Sequence, residues 1–281
     1  MPRILIPLAA CLMLATTALE ARAQAKDAPP GVPREGTAST GEDVAARRDP
    51  ASARNRIDQR LKYRELADGL YSAIATSRLD TTFPITRGWL IALRFDMPLV
   101  LTDRPGPDNP AGDDEFGAGD FLSQLFFIAP SPDRAKRFRL GAGAQFIWPT
   151  ASRDETGSGM YQVAPSVFGI YYTPEISGGS FVGLLLRDYV SYAGDKDRRD
   201  IHELSVQPVI NVNLPRGWYL ASFSDIRINW KDDAKVFLPL DLEVGKFVTR
   251  EVVTSVQVDV PVVADYDLYK WQVEVRVGFY F

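Results

Sequence analysis

The chain has one histidine, so chemistry is sought there first. His202 is followed three residues later by Ser205, a base and a nucleophile of the kind an ester hydrolase would use. The spacing argues against that use. On an alternating strand, residues three apart point to opposite faces, and no third group stands ready to orient the imidazole. A second cluster, Asp108, Asp113, Asp114 and Glu115, offers carboxylates to a cation but lacks the ligand spacing of a calcium loop, and reads as a solvated acidic loop. Gly117-Ala118-Gly119-Asp120 has the glycines of a phosphate cradle, yet a strand rather than a helix follows, so it marks a loop-to-strand junction. No catalytic residue, cofactor or metal ligand is expected.

The chain as a whole narrows the classes further. It has 281 residues, 46% hydrophobic and 24% charged, enough to fold around a core. Its 32 basic and 36 acidic residues give a net charge of -4, without the basic excess a nucleic-acid binder needs. Arg3, the apolar run Ile4 to Ala18 and Ala21-Arg22-Ala23 fit a signal peptide over residues 1–23, cut near Gln24. The rival reading, a lipoprotein box at Leu8-Ala9-Ala10-Cys11, lies early in an apolar run that continues through Leu12 to Ala15. With the cut at Ala23 the mature chain has no cysteine, so disulfides do not stabilise it. Residues 24–54, rich in Ala, Pro, Gly, Asp and Arg, form a flexible leader.

From residue 55 to 281 one event recurs: ten to fifteen residues of alternating apolar character, then a turn. The predicted strands are 55–66, 70–84, 88–103, 118–131, 136–151, 160–174, 180–194, 202–214, 217–230, 235–248, 251–264 and 269–281, twelve in all. No uninterrupted apolar run after the signal is long enough for a membrane helix. The remaining choice is a soluble barrel, apolar inside, or a membrane barrel, apolar outside.

Charges at mid-strand and tryptophans at strand ends favour the second. Trp271, Val273, Val275, Val277, Phe279 and Phe281 alternate with Gln272, Glu274, Arg276 and Tyr280; Leu240 and Leu242 alternate with Asp241 and Glu243; Val256, Val258 and Val260 alternate with Gln257 and Asp259. Trp89, Trp148, Trp218, Trp230 and Trp271 all fall near strand ends on the apolar parity, as an aromatic girdle at the lipid headgroups requires. The aromatic residue Phe281 at the end resembles the signal that bacterial outer-membrane barrels present to their assembly machinery. The expected fold is therefore an all-β, antiparallel, transmembrane barrel of the outer-membrane type, with about 12 strands. In hydrocarbon such closure pairs every backbone polar group.

Two features strain this pattern. Pro98, Pro165, Pro208, Pro239 and Pro261 fall inside predicted strands, each deleting a ladder donor, so bulges or displaced strand ends are expected there. In strand 180–194 either parity sends Arg187 or Asp188 toward lipid.

The inward parity collects Arg78, Asp80, Arg94, Asp96, Arg139, Asp225, Arg227, Asp241, Glu243, Asp259, Glu274 and Arg276 as lumen-lining candidates, along with Asp58, Arg60, Lys62, Gln145, Gln207, Asn211 and Asn229. Interleaved signs suit either a lumen braced shut by ion pairs or a narrow polar conduit that orients a solute.

The run Leu93 to Pro98, the loop Pro105-Gly106-Pro107-Asp108, Glu115-Phe116-Gly117-Ala118-Gly119-Asp120 and Pro149-Thr150-Ala151-Ser152 resemble a family of bacterial outer-membrane proteins catalogued as transporters of the MetA pathway of phenol degradation. The resemblance covers roughly residues 55–281, with departures at Ala118 and Ala151. It implies a channel or transporter for small, aromatic or hydrophobic molecules and carries over no catalytic residue. Expected partners are outer-membrane lipid, lipopolysaccharide bridged by divalent ions to the acidic loop, the barrel-assembly machinery and a small solute; nucleic acid is not among them. The alternative is a structural or adhesin-like barrel with a closed, salt-bridged lumen.

Overall fold

Strands dominate because the outward parity of nearly every segment is β-branched, aromatic or leucine, which fits a pleated half-buried surface. A computed structural model describes residues 55–107, 109–133 and 137–281; the predicted signal peptide and leader, and Asp108 of the acidic loop, lie outside the described residues. The strands are β1 (Arg56–Glu65), β2 (Tyr71–Pro84), β3 (Leu90–Thr102), β4 (Glu115–Ala118), β5 (Phe121–Ile128), β6 (Phe138–Trp148) and β7 (Met160–Tyr172). Then follow β8 (Phe181–Gly194), β9 (His202–Asn213), β10 (Trp218–Ser222), β11 (Ile226–Asn229), β12 (Lys235–Phe247), β13 (Val252–Ala264) and β14 (Trp271–Tyr280).

All pairings are antiparallel, and β1 pairs with both β2 and β14, which closes the barrel. Twelve staves result from these segments, because β4 and β5 share one position along β3 and β10 and β11 share one position between β9 and β12. The breaks are where prolines stand. Pairing of β3 passes from Asp96↔Leu122 to Leu99↔Ala118 across Pro98, whose carbonyl accepts from the Gly119 N–H at 2.9 Å. The interval Phe223 to Asp225 lies between Pro208 of β9 and Pro239 of β12. Its loose groups are met by side chains: the Asp241 carboxylate accepts the Phe223 N–H at 2.8 Å, and Gln207 Nε2 donates to the Phe223 carbonyl at 2.8 Å. Register shifts at Leu238/Pro239, where Pro239 pairs with Pro261, and pairing of β7 with β8 lapses beside Pro165, between Val163↔Val190 and Ser166↔Arg187. A missing donor loosens the ladder, and local polar groups complete it.

Arg56 pairs across from Tyr280, so β1 begins and β14 ends at one rim, the terminal rim. The short turns at Arg87-Gly88 (φ 49° and 85°) and Arg216-Gly217 (φ 63° and 78°) belong to it. Two successive left-handed residues match the twist of a tight hairpin. The segments 103–114, 149–159 and 195–201 belong to the opposite, loop rim.

The outer surface is apolar. Leu240, Leu242, Val256, Val258, Val260, Val275, Val277 and Phe279 are exposed, while Glu243, Asp259, Glu274 and Arg276 between them are buried. Trp89 and Trp218 lie at the terminal rim and Trp148, Trp230 and Trp271 toward the loop rim, all between 38% and 46% exposed. Asp188 takes the outward place in β8 and Arg187 the inward one; on the outside Asp188 meets His202 at 3.4 Å, near the rim tryptophan Trp230.

Candidate functional site in the barrel interior

A cavity of about 560 Å³ occupies the interior. It touches Arg56 and Tyr280 at the terminal rim and Arg104, Leu268 and Tyr269 at the loop rim. Strand alternation aims the lining inward, and the strand neighbours determine which charges meet.

On β12, β14, β1, β2 and β3 the lining is an ionic lattice. Asp80 holds Arg56 at 2.5 Å and Arg94 at 2.6 Å, and Arg78 makes a two-pronged contact with Asp96 at 2.6 and 2.7 Å. Glu274 meets Arg60 at 3.3 Å and Lys62 at 3.2 Å. Arg276 reaches Glu243 at 3.4 Å, donates to the Tyr219 hydroxyl at 3.0 Å, and lies 4.0 Å from Asp58, which is fully buried. Asp58 fits there because Gly278 has no side chain: a Cβ would run into the carboxylate and Val253. Across the barrel, Asp225 meets Arg227 at 2.7 Å and Arg187 at 3.6 Å, and Arg227 also reaches Glu203 at 3.4 Å.

Of the lumen candidates, Arg78, Asp80, Arg94, Asp225, Arg227, Glu243, Asp259, Glu274 and Arg276 line the cavity. Asp96, Arg139 and Asp241 take inward strand positions but do not border it. Asp96 is tied up by Arg78, Asp241 is spent on the Phe223 backbone, and Arg139 sits on β6 near the terminal rim. His202 and Ser205 do not meet. Ser205 is fully buried inside, donating to Asp225, while His202 faces out. The acidic loop is likewise divided: Asp114 accepts from the Tyr71 hydroxyl at 3.0 Å, and Glu115 faces Arg153 at 3.8 Å.

Sequence reasoning missed a second kind of lining. Toward the terminal rim, Ile128, Ile170, Phe181 and Val209 form a buried apolar cluster flanked by Phe168 and Phe223. Both faces of β7 are apolar here, so alternation gives no sign of it. Arg56 and Arg64 also line the cavity; the parity of Asp58, Arg60 and Lys62 would have found both. Arg104 follows a strand end, where parity gives no direction.

No family model and no curated sequence matches the chain. Among solved structures it is similar to the COG4313 outer membrane channel from Pseudomonas putida F1, at 14% identity and a TM-score of 0.69 over 90% of this chain and 100% of that one. The chain has the fold of an outer-membrane barrel. The NanC porin superposes with a TM-score of 0.53 at 12% identity, over 80% of this chain and 98% of the porin. Outer membrane phospholipase A from Escherichia coli gives a TM-score of 0.49 at 14% identity, over 86% of this chain and 98% of the enzyme.

Proposed function

We propose that the chain is an outer-membrane channel that passes or binds small molecules, exported by its N-terminal signal peptide and inserted by the assembly machinery through β14 and the Phe281 that follows it. The observation that carries this reading is a cavity that touches both rims inside a closed barrel with an apolar outer face. A lipid-facing surface requires a membrane, and a charged interior offers a path through it. The likeness to a channel and a porin supports it. The resemblance of the Leu93 to Pro98 and Pro149 to Ser152 segments to phenol-pathway transporters favours an aromatic or hydrophobic solute. The lumen candidates that border the cavity then act as charges that orient the solute, the tryptophans as headgroup anchors, and the acidic loop as a divalent-bridged contact with lipopolysaccharide. The outward placement of His202 away from Ser205 supports a non-enzymatic role.

One observation favours a second reading, a sealed structural barrel: most lining charges are already ion-paired. Conductance of the purified protein in planar bilayers, with solute flux into liposomes, separates the two. A channel gives discrete conductance steps that Arg94→Ala and Glu274→Ala alter. Absence of conductance and flux in wild type and both variants overturns the channel reading.

A further inference from the structure

Ten cationic side chains line the cavity, the eight ion-paired ones named above together with Arg64 and Arg104, against seven carboxylates. The whole chain has the opposite balance, 36 acidic residues to 32 basic. Asp58, Asp96 and Asp241 stand behind that lining, so the positive excess is confined to the surface that a solute meets, where low-dielectric walls concentrate the field. Eight of the ten cations have a carboxylate partner; among the described residues Arg64 and Arg104 have none.

These two stand at the same rim. Arg64, the last residue but one of β1, donates through Nε to Gln272 at 2.8 Å and lies over the Tyr269 ring at 5.8 Å from its centre. Arg104 follows β3 as an exposed residue at the loop rim and lines the same cavity. Beside them Phe237 and Tyr269 pack edge to face at 4.9 Å, and together with Leu268 they border the same cavity. Two lining carboxylates lie nearby: Asp267 is occupied by Lys270 at 3.1 Å, and Asp259 accepts from Gln257 Nε2 at 3.0 Å.

Guanidinium groups without a carboxylate are matched by a planar anion, and an adjoining apolar shelf is matched by an apolar body. We propose that Arg64 and Arg104, with the Leu268–Tyr269 shelf, form a capture site at the loop rim for small organic anions that carry a carboxylate on an apolar body. The proposal rests on the reading of the interior as a solute path and gives that path a preference: anions over cations, and amphipathic anions over neutral molecules of the same shape.

The test is calorimetric binding to the full chain folded in detergent, with benzoate as probe and benzyl alcohol and benzylammonium as its neutral and cationic counterparts. Benzoate binds wild type, the counterparts bind about tenfold more weakly or not at all, and Arg64→Gln and Arg104→Gln each weaken benzoate by about tenfold, as loss of one charge-assisted contact implies. Arg153→Gln, in a loop outside the cavity lining, leaves binding unchanged and controls for net charge. Circular dichroism and heat-modifiable gel migration establish that each variant is folded. Equal binding of all three probes, no benzoate binding to wild type, or benzoate binding indifferent to both arginine variants overturns the proposal. Binding is read without conductance, so a barrel that captures benzoate but conducts nothing sinks the channel reading alone, whereas one that conducts without capturing benzoate sinks the capture site alone.

Discussion

Where β12, β13, β14, β1, β2 and β3 run side by side, the barrel interior is held by Arg78–Asp96, Arg56–Asp80–Arg94 and Arg276–Glu243. Across β5 to β9, toward the terminal rim, the same inward positions hold Ile128, Phe168, Ile170, Phe181 and Val209. The outer faces of both regions are alike, because exposed Val258, Leu240, Val167 and Leu184 all meet the same solvent. The difference teaches that lipid constrains one side of a barrel wall and leaves the other free. Backbone pairing is satisfied by the ladder whatever points inward, so one region is braced by charge and the other, near the terminal rim, is packed by oil. Charge bracing is demanding, since each buried ion depends on its partner against desolvation. Apolar packing depends only on volume.

That contrast can be broken by mutation. Arg276→Met leaves the buried Glu243 carboxylate without its counter-charge and takes one of the cations from around Asp58, which keeps Arg56 at 3.2 Å; it is expected to lower stability by about 3–5 kcal/mol, read from urea unfolding in lipid vesicles by tryptophan emission. A loss below about 1 kcal/mol would mean that charge does not hold this region. Ile170→Ala opens a cavity in the other region and should remove about 2–4 kcal/mol in the same assay, with ion selectivity in bilayers unchanged. Gly278→Ala pushes a methyl group into the Asp58 carboxylate and Val253, with an expected loss of about 1–3 kcal/mol; a neutral result would show that Asp58 has room to move.

Two smaller effects sharpen the comparison at its edges. Asp188 and His202 form a half-exposed pair on the outer face, so Asp188→Leu is expected to change stability by no more than about 1 kcal/mol. In the turn after β5, the Ser131 hydroxyl and the N–H groups of Arg137 and Phe138 hold the Asp133 carboxyl down at about 2. A depressed carboxyl stabilises the fold above its unfolded value, near 4, and that contribution is lost as pH falls through about 2. Asp133→Asn should therefore be slightly less stable than wild type at neutral pH, with the gap closing over that acid window in the same unfolding assay.

How much of this was legible varied along the chain. The strands 235–248, 251–264 and 269–281 showed their faces because each alternates a β-branched or leucine row with charges, and a charge can only face away from lipid. The same rule failed for 180–194, where Arg187 and Asp188 are adjacent and one of them had to face out; pairing with β9 decided it by putting His202 within reach of Asp188. The prolines announced disturbance but not its form. That Asp241 would fill the gap at Phe223 follows from the register of β10 against β12, which no local pattern encodes.

By itself the sequence determined whatever has a period of two: the β class, the strand positions, the apolar surface and its tryptophan borders, since alternation and turn chemistry are properties of neighbouring residues. Tertiary structure alone decided which charges meet, which interior region is apolar, and that Arg64, Arg104 and Tyr269 share a rim. Those outcomes depend on closure of β1 onto β14, which brings Arg64 against Gln272 from 208 residues away. Contact across such a distance is set by strand register and barrel closure, and one-dimensional periodicity carries neither.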